Sequence, residues 1–470
     1  MTHEKIPINT APYQNVDDTT LDNDGSELIN GFINAKGATV KRDGYSQLID
    51  LNTFVAVDGL YDWNNQALAI AVSKGNVYKS SDSFSTKSEI TGANLTAGNR
   101  VSFTENGTYL AMANGGQMIY TDGLTLTTIT DADAPQTVSY IDFIDQYIIA
   151  MEDGSGRFHF ADFTSTPGSW NALDVYTAEA NPDNLVFITV LNREILLCGK
   201  KLIEHWISDG SPFSRLNSKI FKYGCSAKYS MANSGKSVVW LDDKRRIVES
   251  FGGKPRVISG SINKQIQQMT TTNDCIGDYR HWGGEFFYNF SFPSENKTFV
   301  YNLANKTWTQ DSFWNTGTAS HEDSLGKVYT FLQDSNKHII GDRIFGKIHQ
   351  IKSDAYDDSD TPMNFVKKTG HFSFGTTNNK MVRNLRFRLK RGVGLSDDTL
   401  TPKLIVRWKK DGFAWSNDVE LSLGKEGDFY NTEVIRNCGR GRTFQFEMKT
   451  TNAAPIILVE AEADVRVLSI

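Results

Sequence analysis

The sequence predicts an all-β protein: a β-propeller of about seven blades, then an antiparallel β-sandwich, with an extended N-terminal arm. Three observations predict it. Sustained helical periodicity is almost absent, while Gly and Asn punctuate the chain as turn residues. Short apolar runs recur roughly every 40 to 50 residues, the period of propeller blades. Beyond an acidic, proline-ended stretch, Asp354 to Pro362, the pattern changes to long strict alternation of apolar and charged residues.

The runs are Ala67–Val72, Tyr109–Met112, Tyr147–Met151, Glu194–Cys198, Ser237–Leu241, Glu285–Tyr288 and Val328–Leu332. Gly, Asn, Asp or Lys bounds each of them, as turns bound buried strands. A turn and a second strand ending near an aromatic follow: Gly75–Tyr78, Gly116–Tyr120, Gly156–Phe160, Leu202–Trp206 and Arg246–Glu249, with Thr298–Leu303 and His338–Asp342 as counterparts in the last two units. This is the central hairpin, strands two and three, of a four-stranded blade. About seven such units fit between residues 55 and 355; six or eight stay open, because blade one often borrows a strand from elsewhere.

Domain bounds follow from these breaks: an arm over 1–50, the propeller over 51–356, a linker over 357–362 and the sandwich over 363–470. The arm is polar and aperiodic, so it is either mobile or laid along a neighbouring surface. Ile262, Ile266 and Met269 share one helical face behind Ser261, which predicts a short helix capped by Ser261 on a propeller face. In the sandwich, Arg383–Lys390, Lys403–Trp408, Arg442–Met448 and Ile456–Ala463 alternate as half-exposed strands do.

Hydrophobic residues are 39% and charged residues 22% of the chain, enough to bury large cores and too little charge for disorder. With a net charge of −6 the surface as a whole does not advertise nucleic-acid binding, which needs clustered Lys and Arg. Cys198, Cys225, Cys275 and Cys438 are too scattered for a metal or disulfide framework and read as thiols in a reducing compartment. The N-terminus lacks the basic-then-apolar layout of a signal peptide. No apolar run reaches the roughly 18 residues of a membrane span. Synthesis and folding in the cytoplasm, with no membrane insertion, are expected.

Catalytic, cofactor and metal residues are not expected. Asn233-Ser234-Gly235-Lys236-Ser237 ends like a phosphate-binding loop, but Ser230 stands where the first Gly is needed and a strand follows in place of a helix, so a β-turn is predicted. The histidines lack metal-site spacing; His159, His205, His281 and His321 fall in or beside blade strands as hydrogen-bonded structural residues. Asp357-Asp358-Ser359-Asp360 reads as solvated linker, since catalytic carboxylates need partial burial. Asp411-Gly412-Phe413-Ala414-Trp415 is similar to the turn box of sialidase-type propellers but lacks a spacer residue, and reads as a hairpin turn with Trp415 tucked beneath.

Several stretches resemble the packaged-DNA stabilisation family, the tail hub or nozzle proteins of short-tailed bacteriophages. Leu28-Ile29-Asn30-Gly31-Phe32-Ile33-Asn34, then Lys41-Arg42-Asp43-Gly44-Tyr45, is similar to the family's opening, with Asp43 where Pro is common. The run from Ile203 to Gly210, Lys222-Tyr223-Gly224-Cys225, the blade from Val238 to Glu249, Lys254 to Ile258 and the Ser261 helix resemble its middle. Tyr301 to Trp308, Trp408-Lys409-Lys410-Asp411-Gly412, Leu423 to Gly427 and Cys438-Gly439-Arg440-Gly441-Arg442 are similar to later parts.

The resemblance implies a virion-tail protein that forms a ring with copies of itself, a hexamer, below the portal and adaptor. That ring would line and close the channel, retain packaged DNA and allow genome ejection. The implied partners are the portal-adaptor proteins, spike, fibre or needle proteins, and double-stranded DNA that passes without sequence-specific binding. A mildly acidic lumen would keep phosphate from sticking. Two rival readings stand beside this one: a carbohydrate-active propeller enzyme with an accessory sandwich, and a receptor-binding adhesion module.

Overall fold

The structure is a computed structural model and describes residues 2–6, 25–178, 180, 183–210, 212–390, 401–424, 427 and 434–468. Seven antiparallel units stand around an axis, six of them built wholly from consecutive strands. Their inner strands are Val57–Trp63, Ser102–Glu105, Val138–Ile144, Leu185–Leu191, Ala232–Asn233, Ile276–Trp282 and Gly326–Leu332. Their second strands are Leu68–Ser73, Leu110–Ala113, Tyr147–Glu152, Glu194–Gly199, Val238–Leu241, Glu285–Phe292 and Lys337–Asp342.

Each second strand is packed on both faces by neighbouring blades. Ala69 to Ser73, Leu110 to Ala113 and Val238 to Leu241 are buried without interruption. A strand covered on both sides needs no polar alternation, which is why these strands stand out as continuous apolar runs.

In blade seven the strands are displaced by one from the sequence reading. Val328–Leu332 belongs to the inner strand, and His338–Asp342 to the second. Here the inner strand is apolar as well: Val328, Tyr329 and Leu332 are buried. The third strand is Lys347–Lys352, and the fourth is borrowed from the N-terminal side, Gly44–Asp50 pairing antiparallel with it. The ring is therefore closed by residues more than 290 positions apart. The borrowed strand completes blade seven, whereas the sequence suggests blade one for it.

Residues 25–50 are woven into both domains, which goes with the second of the two expectations, an arm laid along a neighbouring surface, and extends it to strand pairing. Glu27–Ile29 lies between the outer strand of blade six (Thr307–Asp311) and Phe365–Lys368, so one sheet of nine strands runs from the axis through blade six into the sandwich and ends at Val419–Ser422. Gly31–Ile33 and Thr39–Lys41 join the opposite sandwich sheet beside Ile457–Val467, Lys380–Leu389 and Val434–Gly441, with Thr2–Ile6 also paired to Ile457–Val467. Between the two sheets lies an apolar core that includes Leu28, Phe365, Leu385, Leu404, Phe444 and Phe446, each fully buried.

Buried charge pins the junction. Arg42 makes two hydrogen bonds to Asp358, at 2.9 and 2.7 Å, and a third to Asn30 Oδ1 at 3.1 Å. Asp358 is 1% exposed and so is no part of a solvated linker; Asp357–Asp358 and Thr361–Pro362 form a small hairpin against Gly44–Asp50. Lys41 Nζ donates to the carbonyls of Tyr356 (2.9 Å) and Asn452 (2.8 Å). At Gly44 the chain passes so close that a Cβ would lie 2.0 Å from the Asp357 carbonyl oxygen. Those residues are the ones that carry the family-like opening, and their work is to fix the two domains together.

The helix is a 3-10 turn, Gly260–Ile262, leading into Asn263–Gln268. Ile262 holds the N-cap position and no side chain caps the helix, so Ser261 is not the cap. Ile262, Ile266 and Met269 bury the helix against blades five and six.

Candidate functional site

The inner strands enclose an axial cavity of about 530 Å³. Its wall alternates polar and aromatic side chains, among them Arg100, Tyr140, Asp142, Asp278, Tyr279 and Tyr329. Inner strands face this space on one side only, so they carry polar residues that a second strand cannot.

Most of those polar groups bind blade to blade. Ser102 Oγ donates to the Ile141 carbonyl at 2.9 Å and joins blades two and three. Asp142 Oδ2 accepts from the Val190 N–H at 2.8 Å and Thr189 Oγ1 at 3.0 Å, joining three and four. Asn233 Nδ2 donates to the Val190 carbonyl at 3.0 Å, tying five to four. Asp278 Oδ2 accepts from the Tyr329 N–H at 3.0 Å, and Asp62 from the Gln333 N–H at 3.0 Å, so blade seven is held from both sides. Lys327 reaches Asp58 at 2.8 Å, and Arg100 crosses between blades two and six to Asp278 at 3.0 Å.

Burial pushes the Asp142 and Asp278 carboxyls above the usual carboxylate range, against the N–H donors and, for Asp278, Arg100. Both oxygens of each carboxyl already accept hydrogen bonds, because the Phe143 and Tyr279 N–H groups take the second oxygen. Such a group is a fastener. A glycosidase acid or base needs an oxygen aimed at substrate.

At one mouth of the cavity, His281 and His338 meet ring to ring at 4.5 Å beside Phe331. Burial lowers both, His338 to about 4, so both rings are neutral near pH 7. His205 is fully buried with Nδ1 2.8 Å from Glu194, and His321 Nδ1 lies 2.6 Å from Ser312 Oγ. His159 and His281 depart from the hydrogen-bonded reading: His159 sits 3.7 Å from Glu152 with neither ring nitrogen hydrogen-bonded, and His281 packs on rings. The loop at Asn233 is a β-turn closed by Ser234 N–H to the Ser237 carbonyl at 3.1 Å, with Lys236 over the Phe286 ring. All four cysteines are buried thiols. Among the described residues no group of three His, Cys, Asp or Glu side chains could hold a metal ion, and no helix is long and apolar enough to cross a membrane.

A second cavity of about 520 Å³ opens on the propeller face where second strands turn into third strands, lined by Lys200, Lys201, Lys228, Asp153 and Asp243 among others. Lys228 Nζ is spent on Asp153 at 3.0 Å.

Two family descriptions match the chain in order: the β-propeller of bacteriophage P22 Gp10 over residues 28–356, and its β-sandwich over residues 372–466. The chain belongs to this family of phage packaged-DNA stabilisation proteins. Gp10-family membership makes it a structural protein of a phage virion. No curated protein sequence matches it. Similar solved structures include the extracellular domain of the hybrid two-component system BT4673 from B. thetaiotaomicron, at 10% identity and a TM-score of 0.46, covering 74% of this chain and 44% of that one. YCF48 from Cyanidioschyzon merolae is similar at 12% identity and a TM-score of 0.42, covering 66% of this chain and 98% of its own. The chain thus spans less than half of the BT4673 domain.

Asp411 and Gly412 have positive φ of 50° and 75° and form a tight turn, with Asp411 Oδ1 accepting from the Arg442 and Thr443 N–H groups at 2.7 and 2.8 Å. Trp415 is half-buried on the outer sheet face, with the Arg407 guanidinium 4.8 Å from its ring centroid, and is not tucked under the turn. The fasteners Ser102, Asp142, Asn233 and Asp278 escape sequence reasoning, because an Asp or Ser in a strand reads the same whether it faces water or the next blade.

Proposed function

We propose that the chain is a tail hub or nozzle component that assembles with copies of itself, a hexamer, into a ring below the portal and adaptor. The ring lines and closes the DNA channel, retains packaged DNA and releases it at ejection, and no bond is made or broken. Spike, fibre or needle proteins dock on it from below. What supports this reading most is the ordered match of both domains to phage Gp10.

The axial cavity adds a geometric condition. At about 530 Å³ it is crossed by the Arg100–Asp278 pair. A duplex whose major groove alone is about 12 Å wide cannot pass it. A conduit for DNA must therefore be a lumen between copies. The continuous sheet through blade six suits such a role, since contacts made by the sandwich are transmitted to the propeller without a hinge.

The test is the mass of the purified full chain, alone and with its portal-adaptor partner, by light scattering and native mass spectrometry. A closed ring of several copies is expected. A chain that stays monomeric even with the adaptor would overturn the reading.

A further inference from the structure

The net charge of −6 conceals a split. Residues 363–470 hold 18 Lys and Arg against 12 Asp and Glu, leaving 31 against 43 for residues 1–362. The sandwich is thus a basic body attached to an acidic one.

Much of that excess gathers at one end of the sandwich. Across three adjacent strands of one sheet, Arg440 and Arg466 flank Met381, each directly paired with it. Arg436 is next on the same face, opposite Asn384. Arg442 follows at the turn into Phe444–Thr450, and Lys410 comes across from the other sheet, its Nζ 2.9 Å from where a Cβ on Gly439 would stand. Arg436, Arg440, Arg442 and Arg466 are all exposed, and among the described residues none of them makes an ion pair within 4 Å. The carboxylate of the adjoining turn, Asp411, is taken up by backbone N–H groups. Phe413, 75% exposed, projects from the same turn.

Charge on a free strand edge can serve merely to block edge-to-edge pairing. Edge protection could account separately for Arg440, on the edge strand, and for Arg466, one residue past the Thr2–Val465 pair, but not for their gathering with Lys410 of the other sheet. Neighbouring strands are about 4.8 Å apart, so Arg440 and Arg466, two spacings apart across Met381, stand about 10 Å from each other and gather with their neighbours into one patch of like charge that is held together at a cost.

We propose that this tip, made by Lys410, Arg436, Arg440, Arg442 and Arg466, binds the phosphate backbone of double-stranded nucleic acid. The inference rests on the tail-hub reading for its biological setting, and its chemistry can be tested separately. Backbone contacts of this kind hold without reading sequence.

The experiment uses the full chain and a fluorescein-labelled duplex of about 30 base pairs, followed by anisotropy from 50 to 200 mM salt, conditions under which phosphate contacts show as a linear fall of log affinity with log salt. Arg440→Gln with Arg466→Gln should weaken binding about tenfold or more and reduce the salt slope by about two. Arg193→Gln on the propeller, an exposed arginine beside Asp145, should change neither. Two duplexes of unrelated sequence should bind equally.

Absence of duplex binding by the unaltered chain at 50 mM salt would overturn the proposal, as would an unchanged slope in the double variant. Light scattering in parallel separates the two readings. A chain that assembles but ignores duplex sinks this inference alone; one that binds duplex through the tip but never assembles sinks the ring alone. If the double variant keeps duplex binding and loses assembly, the tip is a contact between copies and the proposal fails.

Discussion

In the propeller, Asp58, Asp142 and Asp278 point inward and reach a neighbouring blade. In the sandwich, Arg436, Arg440, Arg442 and Arg466 point outward and reach nothing described. Charged side chains thus do opposite work in the two domains. Inward charge replaces water with hydrogen bonds that fix blade to blade; outward charge keeps its hydration and stays free for a partner. The difference locates stability in the ring and junction, and contact at the far tip.

The comparison breaks most visibly at the junction. Arg42→Ala strands Asp358 as an unpaired buried carboxylate and should cost about 3–5 kcal/mol in urea denaturation of the full chain. A loss under 1 kcal/mol would mean that the two domains do not depend on this pair.

Within the ring, Asp142→Ala leaves the Val190 N–H and Thr189 hydroxyl without their acceptor, a cost of about 1–3 kcal/mol by the same assay. No change in stability would show that inward charge is not a fastener.

A third case sharpens the contrast, because Lys367 is an inward charge with no hydrogen-bond partner among the described residues. Burial lowers its amine to about 7, well below the value of about 10.4 in an unfolded chain. Between those values the unfolded chain carries the extra proton, so this lysine makes stability climb as pH rises from about 7 toward 10. Lys367→Met should remove its part of the climb, leaving the part due to Lys41, whose amine burial lowers to about 8, and add about 1–3 kcal/mol at pH 6, where the native amine is charged. A pH–stability curve identical to that of the unaltered chain would contradict the assignment.

The smallest effect belongs to the tip. Arg466→Gln should shift stability by no more than about 0.5 kcal/mol, since the side chain is exposed and holds nothing described in place. A loss above 1 kcal/mol would mean that the outward arginines are structural after all.

How much could be read from sequence follows the same division between local and distant causes. Second strands such as Leu110–Ala113 were legible because burial on two faces writes an unbroken apolar run. Inner strands were not: Asp278-Tyr279-Arg280-His281 lines the axis but carries no apolar run to mark it. Residues 25–50 looked unstructured because their partners are distant, Asn30 with Ser312 and Arg42 with Asp358. Asp358 looked solvated for the same reason. The alternation of Arg383 to Lys390 correctly indicated a half-exposed strand. Arg440 reads only as part of a family-like turn, and Arg442 as part of that turn and the start of an alternating strand, because no local pattern shows that Arg466 folds beside Arg440 across Met381.

A cryo-EM map of the assembled tail tests the central claim most directly. The account predicts copies of the chain closed around a lumen that lies between them, with each propeller axis empty of DNA. Duplex density running through a single propeller, or one isolated copy hung on the periphery of the tail, would contradict it.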